Sequence, residues 1–130
     1  MRDFVHPGMT RDEVESVLGC GETIVILEGY IYRTYYGQGA VAVAYMAGYA
    51  VCIEILGEGF WVFGLSHGAS LQEMLDVLGE PDDIFCVSES ASFVDEDIYM
   101  YDNLNGSGMD IDVFVDAEGV VVLIEVRRSR

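Results

Sequence analysis

The most reactive side chains in this sequence are the thiols of Cys20, Cys52 and Cys86, the imidazoles of His6 and His67, and a large set of carboxylates. A cysteine nucleophile needs a base in space beside it, and nothing in the sequence supplies that adjacency. The two histidines flank two helix starts and have no paired ligands. Between Asp102 and Asp112, the residues Asn103, Asn105, Ser107 and Gly108 partly mimic a calcium loop. The closing bidentate glutamate is missing, and the segment fits a hairpin turn better. An acid pair for glycosidic cleavage cannot be singled out among 23 acidic residues. The glycines sit at turns and helix ends rather than in a phosphate-cradling loop. The expectation is a protein without catalytic residues, cofactor or metal.

The charge is the strongest bulk signal. The 130 residues carry a formal charge of −17, with six arginines and no lysine. Residues 1–65 hold eight acids; residues 66–130 hold fifteen. Such a surface repels nucleic acid and anionic membranes. It attracts basic proteins and speeds encounter with them. Three widely spaced cysteines without a CxxC favour a reducing compartment and mostly buried thiols. Residues Met1–Pro7 have no apolar h-region, which predicts a cytoplasmic protein. No apolar run reaches the roughly 20 residues that a membrane helix requires.

Two segments must position whatever site exists. In the stretch from Gly8 to Gly19, Thr10 is an N-cap, Glu13 closes a capping box and Gly19 is a stop, which predicts a helix over 10–19. Val14, Val17 and Leu18 form its apolar stripe. The stretch from Gly68 to Gly79 repeats the pattern with Ser70, Glu73, Met74, Val77, Leu78 and Gly79, and Pro81 blocks continuation. Strands are predicted over 23–27, 30–36, 40–46 and 49–56, then over 82–87, 97–103, 109–115 and 120–127. Phe60–Phe63 is a short bridging run, and 88–96 an acidic insertion. The fold class is α+β: two tandem helix-plus-four-strand repeats (1–63 and 64–130) in one domain, forming a curved antiparallel sheet with two short helices on one face.

The Gly-Met-Thr-x-x-x-Val-x-x-x-Leu-Gly run followed by a strand meander resembles the small outer-membrane assembly lipoprotein (SmpA/OmlA) domain. Two such units in tandem are similar to the β-lactamase inhibitor protein fold. That resemblance implies a sheet with helices behind it, gripping a partner protein through its other face. The lipobox cysteine and the stapling cysteine pairs of those families are absent here.

Alternation suggests which face is free. With Ile31 and Ile98 turned to the helices, Tyr30, Tyr32, Thr34 and Tyr36 face away, as do Tyr99, Tyr101 and Asn103. Val41, Val43 and Tyr45 then correspond to Asp112, Phe114 and Asp116, with Glu54 and Glu125 on the same side. The candidate partner-binding set is Tyr30, Tyr32, Tyr36, Tyr45, Tyr99, Tyr101, Asp110, Asp112, Phe114 and Asp116. Tyrosine gives large contact area with few rotors; it is also simply a good strand former. The functional expectation is a non-enzymatic, acidic protein-binding inhibitor. In its specific form it is a bacterial immunity protein that neutralises a cognate toxin by occluding a basic site. A structural module of an envelope complex and an acidic DNA mimic are the alternatives.

Overall fold

A computed structural model describes residues 5–27, 31–86 and 96–129. The elements are α1 (Arg11–Leu18), β1 (Glu22–Leu27), β2 (Ile31–Tyr36), β3 (Val41–Met46), β4 (Tyr49–Ile55), β5 (Trp61–Val62), β6 (Leu65–Ser66), α2 (Leu71–Leu78), β7 (Asp83–Phe85), β8 (Glu96–Tyr101), a 3-10 turn at Leu104–Gly106, β9 (Met109–Asp116) and β10 (Val121–Arg128). The fold is α+β. Eight strands make one antiparallel sheet in the order β1-β2-β3-β4-β10-β9-β8-β7, and β5-β6 form a separate hairpin. The two meanders meet at the sheet centre, where β4 pairs with β10.

Both helices form for the reasons their sequences give. Thr10 accepts from the Glu13 amide at 3.2 Å, while the Glu13 carboxylate accepts from the Thr10 amide at 2.9 Å. Ser70 and Glu73 repeat this box at 3.1 and 3.2 Å. Eight-residue helices are marginal alone, so each is tied to a hairpin by three backbone bonds. Gly8 N–H donates to Ala50 O, Ala50 N–H to Met9 O, and Arg11 N–H to Gly48 O. Gly68 to Val121, Val121 to Ala69, and Leu71 to Gly119 repeat the arrangement.

Val14 and Met74 are fully buried and Leu78 nearly so; they join Val41, Val43, Ile53, Ile55, Ile111, Val113, Ile124 and Val126 in one core. The helix stripe is narrower than the sequence suggested. Val17 and Val77 are 46% and 43% exposed, while Val14 and Leu18 in one helix and Leu71, Met74, Leu75 and Leu78 in the other pack on the core. The Phe60–Phe63 run is also more than a bridge. Phe63 and Gly64 both take positive φ and turn β5 back into β6, the backbone of a two-residue hairpin.

Cross-strand partners fix the facing of the sheet and correct the expected one. Tyr36 pairs with Val41, Thr34 with Val43, Val43 with Ile53, and Ile53 with Val126. Val126 pairs with Ile111, and Ile111 with Tyr101. All of these side chains are buried, so this is the helix-covered face. Tyr36, Tyr45 and Tyr101, expected on the free face, lie in the core with Val41 and Val43. Tyr99 is half-buried against the same core. Ile98, expected beneath the helices, faces the other way opposite Phe114. Tyr30 and residues 88–95 lie outside the described residues, as do the side chains of Ile31 and Tyr32.

The tyrosines were misplaced because Ile98 was set against the helices, and the match between the two meanders was also one residue off. Ala44 stands opposite Cys52, and Phe114 opposite Leu123. Ala42 and Ala44 therefore occupy the positions that Asp112 and Phe114 take in the other meander. Three residues separate Asp116 from Val120, which bridges to Ser70, against two between Met46 and Tyr49, which bridges to Thr10, and a single-residue shift exchanges the two faces of a strand.

Candidate functional site: the open face of the sheet

Three cross-strand rows on the face without helices bear on the candidate site. In the central row, Tyr35, Ala42, Glu54, Glu125, Asp112, Met100 and Asp83 follow one another from β2 to β7. Glu54, Glu125 and Asp112 are thus direct neighbours, an arrangement that repels itself unless it is neutralised. The row beside it supplies the cations: Arg33, Ala44, Cys52, Arg127 and Asp110.

Arg33 forms an ion pair with Glu54. It reaches across β3 because Ala42 and Ala44 leave room for its stem. Arg127 donates to Asp112 at 2.6 Å and to Glu125 at 3.3 Å. Cys52 sits among these groups, and burial pushes its thiol up to about 12, with Glu125 adding to the effect. A neutral thiol of this kind is a poor nucleophile at physiological pH.

The remaining carboxylates of the candidate set hold turns. Asp110 accepts from the Asn103 amide at 2.8 Å and from the Ser129 hydroxyl at 2.6 Å. The Asn103 side chain accepts from the Gly108 amide at 2.7 Å. The calcium-like segment is therefore a self-closed turn between β8 and β9. Asp116 accepts from the amides of Glu118 and Val120 at 2.9 and 3.0 Å. Asp110, Asp112, Phe114 and Asp116 all lie on the open face, each half-buried. Among the described residues, no group of three or more His, Cys, Asp or Glu side chains is placed to hold a metal ion.

Of the third row, Phe114 alone belonged to the expected set. The row is apolar: Phe85 opposite Ile98, Ile98 opposite Phe114, and Phe114 opposite Leu123. Its signal was present in the alternation of Asp112-Val113-Phe114-Val115, which puts large apolar residues on both faces of β9.

Tyr36, Tyr45 and Tyr101 work on the opposite side. The Tyr36 hydroxyl donates to Glu15 at 2.9 Å and shares a 2.6 Å hydrogen bond with the Tyr45 hydroxyl. Glu15 also takes Arg11 Nε at 3.1 Å, and the Arg11 guanidinium lies 5.3 Å from the Tyr45 ring centre. Burial, then the bond to Tyr45, raises the Tyr36 phenol above its ordinary value. A Cβ on Gly21 would collide with the Tyr36 ring and Thr34, so that chain passage needs glycine. The Tyr101 hydroxyl donates to Gly79 O at 2.9 Å, pinning the end of α2. Burial, then Glu80, pushes this phenol up to about 12.

The cysteines are all thiols; Cys20 is exposed and the other two half-buried, so the expected burial fails at Cys20. No helix among the described residues is long and apolar enough to cross a membrane.

No protein-family model matches the sequence, and no curated protein matches it. The fold is similar to two solved structures. One is a DUF4309 family protein from Bacillus subtilis, at 14% identity and a TM-score of 0.60, with 97% of this chain and 82% of that one covered. The other is a cysteine-rich secretory protein from Staphylococcus aureus, at 14% identity and a TM-score of 0.64. There the match takes in 93% of this chain but spans only 44% of the other. At such identity the likeness is one of fold alone.

Proposed function

We propose that this chain is a non-enzymatic, acidic protein-binding inhibitor, in its specific form a bacterial immunity protein that covers the basic site of a cognate toxin. The observation that carries this reading is the open sheet face of β7–β10. Apolar and acidic side chains alternate there, while Arg127 is already bonded within the fold. A surface so arranged offers desolvation and negative charge together, which suits a basic partner. The reading replaces the tyrosines with Phe85, Ile98, Phe114 and Leu123 as the apolar contacts, and keeps Asp112 and Asp116 as the charged ones.

Within the same proposal, the chain is two helix-plus-four-strand units, residues 1–63 and 64–130. The matched capping boxes and matched helix-to-hairpin bonds support this, as does the pairing of Glu54 with Glu125 at the centre. On the open face the units differ: Arg33, Ala42 and Ala44 in one stand where Ile98, Asp112 and Phe114 stand in the other. Such divergence fits a binding surface confined to the second unit.

The test is calorimetry of the chain against the product of a neighbouring gene that encodes a toxin domain. Saturable binding with loss of toxin activity is the expected result. No heat of binding at micromolar concentration contradicts it.

A further inference from the structure

The geometry of the apolar row points to the shape of what it binds. Phe85, Ile98, Phe114 and Leu123 lie on four successive strands. Phe85 is 47% exposed, and the other three are half-buried. Neighbouring strands are about 4.8 Å apart, so the row is about 14 Å long.

Carboxylates flank it on both sides, two residues along the strands and therefore about 6.7 Å away. Asp83, Asp112 and Glu125 stand on one side; Glu96 and Asp116 stand opposite each other on the other. Arg127 neutralises only part of the first group.

An α-helix advances about 5.4 Å per turn, close to the strand spacing. A helix laid across the strands therefore seats one apolar side chain per turn over each strand. Its flanking positions then hang over the two carboxylate rows. We propose that this row takes a cationic amphipathic helix of about three turns, supplied by the partner protein and lying across β7–β10. The inference rests on the protein-binding reading and specifies the partner's chemistry. A second copy of this chain does not fit. Its helices carry Asp12, Glu13 and Glu15, and Glu73 and Asp76, on a chain of charge −17.

The test uses the full chain and a synthetic helical peptide of about 14 residues. The peptide has leucine at every third or fourth position and lysine on both flanks. Fluorescence anisotropy should show saturable binding, weaker by roughly tenfold or more for a scrambled peptide of the same composition. Phe85→Asp should weaken binding to a similar degree, and its exposed position keeps the fold intact. Glu96→Gln should reduce the salt dependence of the affinity. No binding of the designed peptide, equal binding of the scrambled one, or an unchanged affinity in Phe85→Asp overturns the proposal. A toxin that binds wild type and Phe85→Asp alike keeps the protein-binding reading and removes the helix.

Discussion

Replacing Arg127 with methionine takes one cation from the middle of the sheet while keeping much of the apolar stem. Glu54, Glu125 and Asp112 then stand side by side, with Arg33 as the cation bonded to Glu54. Directly opposed Cβ atoms lie about 5 Å apart. Unit charges at that separation repel by about 1 kcal/mol with water-like screening, and by about 3 kcal/mol at an effective dielectric of 20. Arg127 is itself 36% exposed, so its two ion pairs contribute only about 0.5–1 kcal/mol each. The expected loss is about 2 kcal/mol at low ionic strength. Urea unfolding followed by circular dichroism measures it, as a lower midpoint at unchanged slope. Added salt should recover part of the loss, as should Glu125→Gln in the same chain. If Arg127→Met is as stable as wild type, or loses as much with Glu125→Gln present as without it, the charge ladder does not stabilise the junction of β4 and β10.

Three further outcomes follow from the packing. Met74→Ala should cost about 2–5 kcal/mol and Val77→Ala less than about 0.5 kcal/mol, since the first is fully buried and the second half exposed; similar melting temperatures for both would contradict the seating of α2. The Tyr101 phenol is raised by burial to about 12, against about 10 in the unfolded chain. Its contribution to stability is complete below pH 10 and disappears as the pH climbs toward 12. Tyr101→Phe should therefore make the alkaline fall in stability shallower, and an unchanged slope in denaturant titrations would count against a buried, neutral phenol. With a disulfide reagent at pH 8, exposed Cys20 should react fast and Cys52 slowly; a fast phase that survives Cys20→Ser combined with Cys86→Ser would contradict that order.

The local signals in the sequence were sufficient for the helices. A cap, a glutamate three residues on and a closing glycine act within one turn, so Thr10, Glu13, Gly19 and their later counterparts needed no tertiary knowledge. Strand existence was equally legible, because β-branched and aromatic runs bounded by glycine have few other uses. The facing of the strands was not. It depends on turn length and on bulges such as those that shift the register between Ala44 and Tyr45 and between Val121 and Leu123. An extra residue in the turn after β9 matches Asp112 with Ala42 rather than Val41, without altering the sequence neighbourhood of either strand. Tyrosine compounded the difficulty. Its ring suits a core and its hydroxyl suits an interface, and here Tyr36, Tyr45 and Tyr101 find their polar partners inside, at Glu15, at one another and at Gly79 O. The carboxylates of the candidate set kept their face, because Asp112 and Asp116 had no partner within the core.

The central claim is that the open face of β7–β10 binds a basic protein partner. Its most direct test is a calorimetric titration of the toxin-domain product with wild type and with the double variant Phe85→Asp, Glu96→Lys. Tight binding by wild type and a roughly hundredfold or greater loss in the variant is the expected result. Equal affinities for the two chains, with both fully folded, would place the binding surface elsewhere and contradict the account.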